Sequence, residues 1–332
     1  MSAPAKPIIL VTRKLPAQAQ ARLSALTSVT VRQHLSTAPI SHSALLSDIR
    51  GSSALICLLS DKVDSELLQA AGPQLRAVST VSVGYDHVDT QALKRHNVRL
   101  GYTPDVLTDA TADTTVLLAL MASRLAKTAL AKAAKGESAF TLSEGLGSQF
   151  TGKTLGIVGL GRIGCATGRR LLPFGFTRVL YTGSRPHSDR ASALNAEFVG
   201  FHELLQLADL VCVCCPLTDR TRGMFGREAF QHVKPGSILV NTARGAVIDQ
   251  EALLEALDAG ALAHAALDVT VPEPLPAGHP LLCHPKCTVL PHIGSATEET
   301  RNAMANLAID NALAAVLGQP MPAEVCIGIE QT

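Results

Sequence analysis

The string TLGIVGLGRIGCATGRRL, residues 154–171, constrains this chain more than any other feature. An apolar run meets Gly159, Gly161 and Gly164 in GxGxxG spacing, and a helical pattern follows at once. Glycines at those positions allow a tight turn, close approach of backbone to an anionic group, and close contact between helix and strand. A strand that turns directly into a helix needs a parallel strand to return to, so the string predicts βαβ units and a parallel sheet covered on both faces. The N–H groups and positive dipole end of such a helix suit the pyrophosphate of a dinucleotide.

The rest of the chain fits that frame. Apolar runs at Leu155–Val158, Arg178–Tyr181, Leu210–Cys215, Ser237–Asn241, His264–Val269 and Thr288–Leu290 alternate with helical segments and predict a doubly wound second α/β domain. Upstream, IILVT, ALICLLS, LRAVSTVS and VRLGY alternate with segments such as Ser65–Ala71, which predicts a first α/β unit between Pro7 and Leu100. Residues 109–135 lack Gly and Pro and are rich in Ala and Leu, which predicts one long helix of about 40 Å able to bridge domains or clasp a partner subunit. Ser295 with Glu298 three residues on predicts a capping box opening a last helix, which ends near Gly318 and folds back onto the first domain. At 332 residues two cores are expected rather than one.

Composition excludes several classes of partner. Lys+Arg 29 against Asp+Glu 28 gives no broad field for nucleic acid or an anionic membrane, and no apolar run reaches the roughly 20 residues that cross a bilayer. The first residues carry neither a secretion-type apolar region nor an Arg-rich amphipathic segment, and a cytoplasmic location is expected. Cys212, Cys214 and Cys215 sit within the apolar run DLVCVCCPL, where sulfur serves as small core volume, so reduced thiols are expected. Cys283 and Cys287 flank His284 in a spacing that matches no standard zinc pattern, and no metal is expected.

The second strand of the glycine-loop domain ends VLYTGSRP. An NAD site would offer Asp or Glu to the ribose there; this chain has Ser184 and Arg185 instead, a hydroxyl and a guanidinium suited to a 2′-phosphate. NADPH is therefore the expected cofactor, with NADH still possible. Three later strings complete the chemistry: NTARGAVID with Arg244, LDVTVPEPLP with Glu273, and LPHIGSAT with His292. Reducing a 2-keto acid needs a cation to hold the carboxylate and polarise the carbonyl, and a proton donor for the developing alkoxide. Arg244 and His292 answer those needs, and a carboxylate on the imidazole, for which Glu273 is the candidate, fixes its tautomer and favours the charged ring.

The ordered set VSVGYDH, GYTPDVLTDATADTT, GIVGLGRIG, NTARG, LDVTVPEP and LPHIGSAT resembles the D-2-hydroxyacid dehydrogenase family over nearly the whole chain. The strings LLSDKVD, GYTPDVLTD, LYTGSRP, LDVTVPEPLP and LPHIGSATEETRN are similar to its glyoxylate- and hydroxypyruvate-reducing branch. The resemblance implies two doubly wound parallel-sheet domains with a cleft between them: a Rossmann-type nucleotide domain, residues 105–298, and a flavodoxin-like substrate domain, residues 1–104 with 299–332. It implies a substrate-orienting Arg244, the acid/base His292 and its partner Glu273. The backbone amides of Val83 and Gly84 would receive the substrate carboxylate, with Ser295 lining the same pocket. Gly161, Arg162 and Ile163 would hold pyrophosphate, Gly183, Ser184 and Arg185 the ribose phosphate, and Thr242, Asp268 and Gly294 would surround the nicotinamide.

Two departures stand out. Pro216 falls where the mammalian-type member of this branch has a small polar residue, a tolerable change at the cofactor. The loop after the long helix usually carries tryptophans, one reaching the partner subunit's active site; this chain has Trp 0 and only Phe140 nearby. The expected assembly is a homodimer and the expected substrate a small 2-keto acid. Two alternatives stay open: a general 2-keto acid reductase using NADH, and a non-catalytic dinucleotide-sensing protein like the family's corepressors.

Overall fold

The computed structural model of the chain describes residues 5–137 and 142–327; Phe140 lies outside them. The chain divides into two compact units, Met1–Leu107 with Ala296–Gln331 and Thr108–Ser295.

In the first unit, strands β1 (Ile8–Val11), β2 (Thr30–Gln33), β3 (Ala54–Cys57), β4 (Ala77–Thr80) and β5 (Arg99–Gly101) alternate with helices α1 (Ala17–Ser24), α2 (His42–Asp48), α3 (Ser65–Ala71) and α4 (Thr90–Arg95). All pairings are parallel, in the order β2-β1-β3-β4-β5, the flavodoxin-like order. Buried Leu10, Leu55, Val78, Leu67 and Leu93 fill one side of the sheet, and Ile9, Ile56, Leu23, Ala308 and Ile309 the other. Asp64 and Asp89 open α3 and α4 by accepting the N–H groups of Leu67 and Ala92, the usual remedy for orphan donors at a helix start.

In the second unit, strands β6 (Thr154–Val158), β7 (Arg178–Thr182), β8 (Ala196–Phe198), β9 (Leu210–Val213), β10 (Ser237–Asn241), β11 (Leu262–Leu267) and β12 (Cys287–Val289) form a parallel sheet ordered β12-β11-β10-β9-β6-β7-β8. Its helices are α5 (Thr108–Ser123), α6 (Ala126–Ala134), α7 (Arg162–Leu171), α8 (Ser188–Ser192), α9 (Phe201–Leu207), α10 (Arg227–Gln231), α11 (Gln250–Asp258) and α12 (Pro280–Cys283). This is the Rossmann order with one added strand, and its topological reversal lies between β6 and β9. The edge strand β8, three residues and mostly exposed, had no counterpart among the expected strands.

The last helix, α13 (Glu298–Val316), returns to the first unit and packs on β3, β4 and β5. Buried Asn311 donates to the Tyr102 carbonyl and accepts the Ala323 N–H, tying the helix to the end of β5 and to the tail.

Two expectations are corrected. The long helix is two, α5 and α6, bent by 69°. Leu125 adopts φ 52°, and the Ser123 carbonyl is taken by the Ser148 N–H rather than by a continuing helix. Lys127 then anchors α6 by donating to the carbonyls of Leu282, His284 and Cys287 at 2.7–2.8 Å. The opening of α13 is capped by Thr297, which accepts the Thr300 N–H at 3.2 Å, not by Ser295. No single described helix is long and apolar enough to cross a membrane.

Candidate active site

Parallel strands present all their carboxyl ends at one edge of a sheet, and every residue singled out in the second unit follows such an end. Gly159–Gly164 follow β6, Gly183–Arg185 follow β7, and Pro216 follows β9. Thr242 and Arg244 follow β10, Asp268 follows β11, and His292, Gly294 and Ser295 follow β12. The fold thus collects residues spread over 137 positions of sequence, 159 to 295, on one edge.

The glycine loop is shaped for a bound group. Gly159 has φ 95°, and a Cβ there would lie 2.8 Å from the backbone of Cys215; a Cβ on Gly164 would lie 2.2 Å from the Gly159 carbonyl. Only glycine permits these contacts. Gly161, by contrast, faces open space, with nothing within 4 Å of a Cβ. It begins α7 without a side-chain cap, and the first internal hydrogen bond runs from the Cys165 N–H to the Gly161 carbonyl. A ten-residue helix that begins without a side-chain cap turns its positive dipole end toward the strand edge, which fits a dinucleotide pyrophosphate. Arg190, not foreseen from the sequence, donates to the Leu160 carbonyl at 3.2 Å and steadies the loop from α8.

At the end of β7, Gly183, Ser184 and Arg185 are exposed. Burial, then the charges of Arg190 and Arg185, hold His187 below its ordinary value, so both guanidiniums act on this turn. Tyr181 fixes the turn by accepting the His187 N–H at 3.0 Å.

The acid/base pair is formed. His292 Nδ1 lies 2.7 Å from Glu273 Oε2, and Glu273 Oε1 accepts the Thr270 N–H at 3.0 Å. Burial works against the Glu273 charge, but the His292 hydrogen bond and charge, the Thr270 N–H and the Arg244 charge outweigh it, and the carboxyl sits below its ordinary value. The pairing leaves Nε2 as the ring's free end for a substrate oxygen.

Asp268 builds the loop that presents His292. Its carboxylate accepts the N–H groups of Ile293 and Gly294, each at 2.8 Å, and its carbonyl accepts the His292 N–H at 2.8 Å. These three bonds hold His292 at φ 55°, a left-handed conformation that a non-glycine residue rarely adopts. Burial raises the Asp268 carboxyl above its ordinary value, and the two N–H donors counter part of that rise. Arg244 is half-buried, with Asn241 gripping both its carbonyl and the Ala243 N–H so that the turn after β10 is rigid. Thr242 is held by a 2.8 Å hydroxyl contact with Thr115 of α5. Asn241, Thr115 and Thr270 escaped the sequence reading because their partners lie across the fold or on the backbone; only the Asn opening NTARG, a frequent turn former, gave a local hint.

In the first unit, Val83 and Gly84 lie on the loop after β4, half-buried. Ser82 donates to the Gly84 carbonyl at 2.7 Å and contacts Thr80 at 2.7 Å, which fixes the loop. Among the described residues neither the Val83 nor the Gly84 N–H meets a protein acceptor. Two adjacent free amides form a receiver for a carboxylate.

A family model described as the NAD binding domain of D-isomer specific 2-hydroxyacid dehydrogenases matches residues 116–294. The glyoxylate reductase/hydroxypyruvate reductase of Homo sapiens is 44% identical over 320 residues, 96% of this chain and 97% of its own. A Thermus thermophilus protein of known structure superposes with a TM-score of 0.88 at 42% identity, covering 96% of this chain and 99% of its own. The NADPH-dependent glyoxylate/hydroxypyruvate reductase of Sinorhizobium meliloti, solved with NADP and malonate, gives a TM-score of 0.85 at 31% identity, covering 97% and 98%. With the glycine loop, Arg244, Glu273 and His292 all inside the matched segment and the relatives spanning nearly its full length, the chain belongs to the D-isomer specific 2-hydroxyacid dehydrogenase family.

Proposed function

We propose that the protein reduces glyoxylate to glycolate and hydroxypyruvate to D-glycerate with NADPH. The observation that carries this reading is the 2.7 Å His292–Glu273 pair at the strand edge that also holds Arg244 and the uncapped start of α7. The activities named for the human and Sinorhizobium meliloti relatives support it.

When bound, NADPH supplies the hydride that reaches the substrate carbonyl carbon. Arg244 of the second unit would hold a keto-acid head and draw charge toward the carbonyl oxygen; the Val83 and Gly84 amides of the first unit, taken by themselves, are suited to a carboxylate. His292 Nε2 gives the proton to that oxygen, and Glu273 holds Nδ1 so that the ring keeps its orientation. Ser295 lines the substrate side. Gly161, Arg162 and Ile163 would carry the pyrophosphate, and Ser184 and Arg185 the 2′-phosphate, with Gly183 leaving room for it. Thr242, Asp268 and Gly294 would surround the nicotinamide, and Pro216 would lie beside the cofactor. The first unit thereby serves as the substrate domain and the second as the nucleotide domain.

We propose a cytoplasmic location, with which the thiols of Cys212 and Cys215 packed in the apolar core are compatible. A homodimer is the proposed assembly, because α6 buries none of its residues and leaves Leu130 64% exposed. NADPH oxidation followed with glyoxylate and with hydroxypyruvate tests the function: both should be consumed, giving glycolate and D-glycerate. Absence of turnover with either would remove the reading and leave dinucleotide sensing without catalysis.

A further inference from the structure

Two short helices of the second unit bring together three metal-type donors apart from the strand-end residues described above. His202 is the second residue of α9, Glu228 the second of α10, and His232 the residue that ends α10. Glu228 and His232 are one helical turn apart and share a side of α10. The imidazoles of His202 and His232 stack with centroids 4.4 Å apart and planes 21° apart. A nitrogen from each ring and a Glu228 oxygen all lie within 4.8 Å of one another.

The backbone beneath is fixed. Leu204, Leu205, Ala229 and Phe230 are buried, Phe201 meets Phe225 edge-on at 5.2 Å, and the Lys234 N–H donates to the Leu205 carbonyl at 2.9 Å. Donors around a tetrahedral Zn²⁺ stand about 3.3 Å apart, given bonds of about 2.0–2.1 Å. Binding therefore requires the donors to draw closer and the two rings to turn out of their stack until both nitrogens face one point; His202 and Glu228 are exposed and have room to do so.

A second cluster, His42, Asp64 and Glu66, shows what a committed group looks like. There Lys62 holds Asp64 at 2.7 Å, Asp64 also caps α3, and His42 pairs with Glu66 at 3.4 Å. Among the described residues Glu228 has no ion-pair partner, and the Gln206 amide nitrogen lies 3.4 Å from His232 Nδ1, a contact that a metal-bound ring would exchange by turning the amide so that its oxygen accepts the Nδ1 proton.

We propose that His202, Glu228 and His232 form a surface site for a divalent late transition metal such as Zn²⁺, which clips α9 to α10 while water fills the fourth position. Two imidazoles and a carboxylate are the donor set such an ion takes. The exposed thiols Cys283 and Cys326 are the competing ligands that a test must separate.

Calorimetric titration of the chelator-treated protein with Zn²⁺ alone provides that test, on the wild type, a His202→Ala/His232→Ala double variant, Glu228→Gln, and a Cys283→Ser/Cys326→Ser variant. The expected result is one equivalent bound by the wild type and the Cys variant, with affinity lower by about tenfold or more in the double His variant and by less in Glu228→Gln. Zn²⁺ should also raise the melting temperature of the wild type and not of the double His variant. Unchanged affinity in the double His variant, binding that disappears with the thiols, or no binding by the wild type would each overturn the proposal.

Discussion

Asp268 accepts two backbone N–H groups with one carboxylate and so shapes the turn from which His292 projects. Asp268→Ala leaves both donors without that partner, at an expected cost of about 1–3 kcal/mol, with a matching drop in turnover as the imidazole loses its aim. Urea melts read alongside steady-state rates check this; a variant with full activity would show that the loop holds His292 without the carboxylate. Cofactor choice also rests on single residues. Ser184→Asp should move the preference from NADPH toward NADH by repelling the 2′-phosphate, measured as the ratio of kcat/KM with the two cofactors. A wild type already favouring NADH would remove Ser184 and Arg185 from phosphate recognition. Arg244, Glu273 and His292 were readable from the sequence because each sits in a short string after an apolar run. Thr270 and Asn241 were not, because their roles are to close backbone turns, and only the folded chain shows which N–H or carbonyl comes within reach.

Among the elements, the parallel α/β character of both sheets was legible in the alternation of apolar runs and helical segments, whereas the bend between α5 and α6 was not. No Gly or Pro marks Arg124 or Leu125; the Ser148 N–H takes the Ser123 carbonyl from outside α5, and Lys127 then anchors α6 on its new course. Likewise Ser295 and Thr297 are both good caps by type, and only the path of the chain after β12 selects Thr297. The start of β9 carries a pH-dependent tie. Asp209 accepts the Thr154 N–H of β6 at 2.9 Å and pairs with Lys234 at 2.8 Å. Burial opposes its charge, but Lys234 and the Thr154 N–H win, and the carboxyl lies below its ordinary value. The folded chain therefore releases this proton more readily than the unfolded one. The tie is fully present above an unfolded value of about 4 and fades as pH falls through the lower folded value. Asp209→Asn should cost about 1 kcal/mol at pH 7, with the difference from wild type shrinking below pH 4 in denaturant melts. A pH-independent difference would assign the effect to packing.

For the whole molecule, the two parallel sheets and the return of α13 to the first unit follow from where the apolar runs begin and end. The proposed homodimer predicts that Leu130→Glu on α6 yields a monomeric mass in light scattering where the wild type is dimeric, since a charge on an interface's apolar face is strongly disfavoured. A monomeric wild type would give α6 another role. A chain with Trp 0 is expected to discriminate loosely between polar and apolar substrate tails, since a methylene in a pocket is worth only about 1–3 kcal/mol. Pyruvate should be reduced within about 200-fold of hydroxypyruvate in kcat/KM; rejection by several thousand-fold would show that another side chain fills that space. The account stands most directly on the imidazole that Glu273 holds at 2.7 Å. His292→Asn, measured for NADPH binding and for NADPH oxidation with hydroxypyruvate in one preparation, should keep its cofactor affinity and lose turnover by about 100-fold or more. Undiminished turnover would contradict the account.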